Sequence, residues 1–173
     1  LLLPYDLSEW IPEDDFVNFV IEAVESIDVS HFSYNRRGTG SAGYHPHIML
    51  TLLIYCYANG VFSSRRIETA SYRDIAVRYI LCNSHPDHST IATFRKNNAE
   101  AISEAFLTIL DLAKELKLLK VGTISVDGTK IKASAGKHRN VRYDRAIELE
   151  EQLKTDIQEL MDKAEQADSN ESE

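Results

Sequence analysis

The sequence predicts a mainly α-helical protein: a bundle of five or six helices with a helix-turn-helix-like part, then a β-hairpin, then a long acidic helix. Three observations predict it. Apolar residues recur at helical spacing through most of 13–119. Residues 121–133, VGTISVDGTKIKA, alternate instead and are rich in β-formers. From Arg142 onward the helical period returns on a strongly acidic background.

Pro12 followed by Glu13, Asp14 and Asp15 predicts a helix start, because proline suits the first helical position and acids suit the positive end of the helix dipole. Phe16, Phe19, Val20, Ala23, Val24 and Ile27 form its apolar face. Residues 34–44, YNRRGTGSAGY, hold three glycines and two arginines and read as a flexible basic loop. Pro46 opens a second helix. Its run HIMLTLLIYCYAN is apolar nearly all round, which predicts the central, buried helix. Gly60 is placed to end it in a left-handed cap. Ser63 or Ser64 caps the next helix, SRRIETASYRD, and IAVRYILC reads as another short one. NSHPDHST is a turn, after which Ser89 or Thr90 caps TIATFRKNN. Ile102, Phe106, Ile109, Leu110, Ala113 and Leu116 mark one more amphipathic helix, closing near Leu119. The Asp-Gly pair inside 121–133 predicts a hairpin turn. Leu149, Leu153, Ile157, Leu160 and Ala164 then form a narrow stripe on a helix over about 142–168, and such a stripe needs a partner surface. The expected units are a helical domain over 1–119 and a second unit over 120–173.

The net charge of −8 argues at first against nucleic acid, but its distribution argues for it. Residues 1–30 hold eight acids and no Lys or Arg; 144–173 hold eleven acids and three bases; the stretch between carries a net +8. An ordinary solvated surface would also account for that pattern. No run is apolar and long enough for a membrane span, so no membrane partner is expected. Cys56 lies in an apolar run and reads as a buried thiol in a reducing compartment, which makes the cytoplasm the expected location. The chain begins without Met and ends in a polar tail, so both ends are expected to be cuts.

Two segments carry chemistry. In residues 60–97, a helix with Arg65, Arg66 and Arg73 precedes a capped helix with Ser89, Thr90, Arg95, Lys96 and Asn97. A helix N-terminus and Ser/Thr hydroxyls suit phosphate, while Arg and Asn suit base edges in the major groove. A bundle with arginines on its wet face is the plainer alternative. In ISVDGTKIKA, Asp127 stands at the end of an apolar strand before a tight turn, a position suited to a metal ligand. Lys130 and Lys132 follow, where they can meet phosphates. A simple Asp-Gly hairpin turn accounts for the same residues. Cys82, His85 and His88 have the spacing of a partial zinc site, with turn and cap roles as the alternative. Tyr72, Tyr79 and Tyr143 can stack on bases or simply pack.

Three strings occur in order: GYHPHIMLTLLIYCYANGVFSSRRIETA, PDHSTIATFRKNN and ISVDGTKIKASAGKHRNVRYDR. Together they resemble transposases of bacterial insertion sequences with an InsH-like N-terminal domain, over roughly 44–165. The resemblance implies a helical domain that recognises the terminal inverted repeats of a transposon as duplex DNA, in a nucleoid-associated homo-oligomer. It implies that the strand before DGT opens an RNase H-like catalytic domain, with Asp127 as the first acid of a DDE triad that binds Mg²⁺ or Mn²⁺. The second Asp and final Glu of that pattern fall beyond Glu173. One carboxylate does not hold two metal ions, so the chain by itself is expected to be inactive in DNA cleavage and strand transfer. The alternative expectation is an inert regulatory fragment that dimerises through the 144–168 stripe.

Overall fold

The computed structural model describes residues 6–34, 43–116, 124–126, 129–131 and 143–170. A short 3₁₀ turn, Leu7–Trp10, precedes six helices: α1 (Phe16–Glu25), α2 (Pro46–Ala58), α3 (Ser64–Arg73), α4 (Ile75–Ile80), α5 (His88–Asn97) and α6 (Ala99–Glu115). Two strands, β1 (Ile124–Val126) and β2 (Thr129–Ile131), pair antiparallel, with Ile124 opposite Ile131 and Val126 opposite Thr129. A long helix, α7 (Tyr143–Asn170), follows. Asp127, Lys132 and the basic loop 35–42 lie outside the described residues.

The core is built on α2. Met49, Leu50, Leu52, Leu53, Ile54, Cys56 and Tyr57 are all buried, covering every side of this helix. Helices α1 and α4 pack against it, and α6 packs against α1. Pro46 occupies the first turn of α2 as the sequence predicts. Its end is closed at Gly60, with φ +75, as the Val61 N–H donates to the Cys56 carbonyl at 2.8 Å. Ser63 caps α3 by accepting from the Arg66 N–H at 3.3 Å.

Three expectations are corrected here. Helix α1 starts at Phe16 rather than at Pro12, because the Asp15 carboxylate accepts from the Val17 N–H at 2.9 Å while residues 12–15 form a turn. Neither Ser89 nor Thr90 caps α5. Asp87 does, with its carboxylate accepting from the Thr90 N–H at 2.8 Å, the Ser89 hydroxyl at 2.5 Å and the Thr90 hydroxyl at 3.1 Å. The third concerns the stripe on α7. Ile157, Met161 and Ala164 are buried in the common core, where α7 packs on α6 and α3. The partner surface of this part of the stripe is therefore the same chain, and this side of α7 is closed to a second copy.

The Asp87 cap has a measurable signature. The Ser89 hydroxyl and the Thr90 N–H hold its carboxyl down at about 2, against an ordinary 3.8. A depressed folded value means that the cap stabilises above pH about 4 and loses its effect as pH falls towards about 2. Asp87→Ala is expected to cost about 1 kcal/mol in urea unfolding at pH 7. The gap between parent and variant should close by pH about 2, and a gap that does not change with pH would count against this cap.

Candidate nucleic-acid interface

The approach of α5 is set by a tight turn after α4. Cys82 and Asn83 both take left-handed backbone, with φ 49 and 61. The Asn83 N–H donates to the Arg78 carbonyl at 2.8 Å, and the Arg78 guanidinium donates to Asn83 Oδ1 at 3.0 and 2.7 Å. Helix α3 then holds the start of α5. Glu68 Oε2 accepts from the His88 N–H at 3.1 Å and lies 2.7 Å from His88 Nδ1. Ser71 Oγ meets His85 Nδ1 at 3.1 Å, and Tyr72 stacks on the His85 ring at 4.0 Å. At the far end, Asn98 is buried and accepts from the Ser33 N–H at 2.7 Å while donating to the Ser33 and Phe94 carbonyls. Helix α5 is thus fixed at both ends.

Its two faces are chemically distinct. Ile91, Phe94 and Arg95 face the core. Ser89, Thr93, Lys96 and Asn97 are exposed, at the spacing of a single helical face. The side chains of Thr93, Lys96 and Asn97 make no hydrogen bond or ion pair to another described residue, so their polar groups are open to an external partner. A groove of about 350 Å³ runs beside this face, lined by Ser89, Thr93 and Asn97 on one side and by Ser33, Tyr34 and Tyr44 on the other. Tyr34 and Gly43, the described residues that bracket the basic loop 35–42, both line this groove.

The sequence candidates separate on this geometry. Lys96, Asn97 and Ser89 are exposed, as are Arg65, Arg66 and Arg73 on α3, while Thr90 is half-buried. Arg95 is the correction: it is 6% exposed and turned inward. Its guanidinium donates to the Tyr57 hydroxyl at 3.4 Å and to Asp168 Oδ2 at 2.5 Å. A guanidinium held this way is not available to a base edge. Ser89 and Thr90 are also limited as phosphate donors, because both hydroxyls already donate to Asp87. The carboxylate of Asp87 fills the positive end of α5, where a phosphate was expected. What remains open to an external partner is the C-terminal half of the exposed face. Thr93 was missed in the sequence, although it stands four residues from both Ser89 and Asn97.

Asp168 is the other residue that sequence reasoning missed. Its Oδ1 accepts from the Ser64 N–H at 2.6 Å, and its Oδ2 accepts from the Ser64 hydroxyl at 2.7 Å. Burial pushes its carboxyl up, but the two Ser64 donors and Arg95 together hold it below the ordinary 3.8.

The chain matches a family described as Transposase domain (DUF772), over residues 5–97. That match takes in more than half of the chain, from the first turn to the end of α5. The chain belongs to this transposase-domain family. No curated protein and no solved structure matches it. The boundary of the match at Asn97 falls at the last residue of α5, so the exposed face of that helix is part of the transposase domain itself. No helix among the described residues is long and apolar enough to cross a membrane.

The transposase resemblance implies a divalent metal, and the described residues do not supply a site for one. Among them no three His, Cys, Asp or Glu side chains converge. His85 and His88 are engaged by α3, and Cys82 sits exposed in its turn. Asp127 is outside the described residues, and of Lys130 only its place in β2 opposite Ser125 is described. Tyr79 is half-buried against the core, whereas Tyr72 is 58% exposed beyond its stack on His85.

Proposed function

We propose that this transposase domain binds duplex DNA at the ends of an insertion sequence, with the exposed face of α5 in the major groove. The observation that carries the reading is that face: Thr93, Lys96 and Asn97 stand open on a helix whose other side is locked in the core. Asn matches the adenine edge, and Lys matches guanine or a phosphate. Helices α3, α4 and α5, joined by short turns, supply the helix-turn-helix-like frame, in which α3 crosses the DNA backbone. Arg65, Arg66 and Arg73 on the outside of α3 fit that role, and Arg36 and Arg37 lie in the loop whose bracketing residues line the groove. A cytoplasmic, nucleoid-associated protein is the setting this implies. A homo-oligomer fits as well, provided that it forms through a surface other than the buried side of α7.

In this reading Asp127 is the first acid of a DDE set for Mg²⁺ or Mn²⁺, Lys130 and Lys132 lie near nucleic-acid phosphates, and the hairpin opens an RNase H-like domain.

The test is fluorescence anisotropy with a duplex from the ends of the source element and a scrambled duplex, over a salt series. The terminal duplex should bind more tightly, with affinity falling steeply as salt rises. Asn97→Ala should cost about 1–3 kcal/mol on the terminal duplex and relax the preference, whereas Lys96→Ala should reduce the salt slope by about one. Equal binding of both duplexes by the parent chain would remove end recognition.

A further inference from the structure

We infer that Asp168 is a positioning residue for DNA reading, joining α7 to the two helices that carry the candidate interface. The inference rests on the DNA reading above. Three elements meet at its carboxylate: α7 itself, α3 and α5. Ser64 opens α3, and its backbone N–H is one of the donors that a helix start leaves unpaired. Ser63 caps Arg66, and Asp168 takes Ser64, so one donor of the first turn of α3 is met by a residue 104 positions away. Arg95 reaches the same carboxylate from α5 and also touches Tyr57 on α2.

The geometry explains how a residue that touches no DNA can govern its binding. Arg95 immediately precedes Lys96 and Asn97. Its inward tether fixes the rotation of α5 about its own axis, and that rotation sets where Lys96 and Asn97 project. One carboxylate holds this tether and the start of α3 together, so it sets the register between the reading helix and the helix that bears Arg65, Arg66 and Arg73. The apolar anchor of α7, through Ile157, Met161 and Ala164, delivers the carboxylate to this point. By linkage, DNA that favours the tethered α5 also favours the docked α7, so the DNA-facing helix and the segment that follows the hairpin are coupled.

The test uses the full chain with Asp168→Ala, Asp168→Asn and Asp168→Glu. Circular dichroism establishes that each variant is folded at the assay temperature. Amide exchange over 155–170 and anisotropy with the terminal duplex are then read together. Asp168→Ala is expected to lose protection over 155–170 and to weaken DNA binding about tenfold, a coupling of ordinary size. Asp168→Glu should recover part of the affinity, and Asp168→Asn should fall between, since it keeps an acceptor for Ser64 but loses the charge facing Arg95. A purely structural role predicts lost protection with unchanged affinity in the folded variants, and that result overturns the inference. Unchanged protection overturns it as well. If the parent chain itself does not prefer the terminal duplex, the DNA reading falls and the positioning role falls with it. Loss of the positioning role alone is recognised by intact DNA preference in every variant.

Discussion

Arg95→Ala is expected to lower the stability of the chain by about 3 kcal/mol in urea unfolding at neutral pH. The reason is what the substitution leaves behind. Arg95 is almost fully enclosed, and Asp168, four-fifths enclosed, faces it across the junction with α3. Burial works against the charge on Arg95, while Tyr57 and Asp168 reinforce it. Removing the guanidinium leaves the enclosed carboxylate with its Ser64 hydrogen bonds but without the opposing charge, and leaves a void beside Tyr57. Replacing both partners together, Arg95→Met with Asp168→Leu, should recover only part of the loss, because the apolar pair removes the unbalanced charge but takes the acceptor away from the buried Ser64 N–H and hydroxyl. A single-variant loss well below 1 kcal/mol would show that the guanidinium reaches water.

Leu53→Ala should be of similar or larger effect, about 3–4 kcal/mol. Leu53 is fully buried on α2, whose neighbours on either side are also at zero or near-zero exposure. A truncated side chain there leaves a cavity walled by other elements, with little room to collapse. Thermal melting followed by circular dichroism checks it. A drop in the midpoint smaller than that of the surface variant Thr69→Ala would refute the central placement of α2.

Both substitutions bear on what the sequence could reveal. Arg95 reads as a DNA contact because it sits with Lys96 and Asn97 in a polar stretch. Its actual partner is 73 residues away, and no local pattern encodes that distance. Signals that act within one helical turn were legible: Pro46 at a helix start, Gly60 at a helix end, Ser63 as a cap. Even there, adjacent candidates compete. Asp87, Ser89 and Thr90 can each cap α5, and the carboxylate prevails by gathering the other two as donors. The stripe on α7 was legible as a demand for burial, yet periodicity does not say whose surface meets it. That Lys96 and Asn97 stand on an exposed helical face was legible from residue type and helix position. The groove between α5 and Ser33, Tyr34, Gly43 and Tyr44 was not, because it arises with the tertiary contact that Asn98 makes with Ser33.

Helix α2 touches neighbours on every side, and this limits how the segment can change over generations. An amphipathic helix offers one side on which substitutions are nearly neutral. From Met49 to Tyr57 only Tyr55 is partly exposed, and the rest are enclosed. Drift in this stretch is therefore confined to swaps that keep both volume and apolar character. A single Lys or Glu there would remove the support on which α1 and α4 both rest.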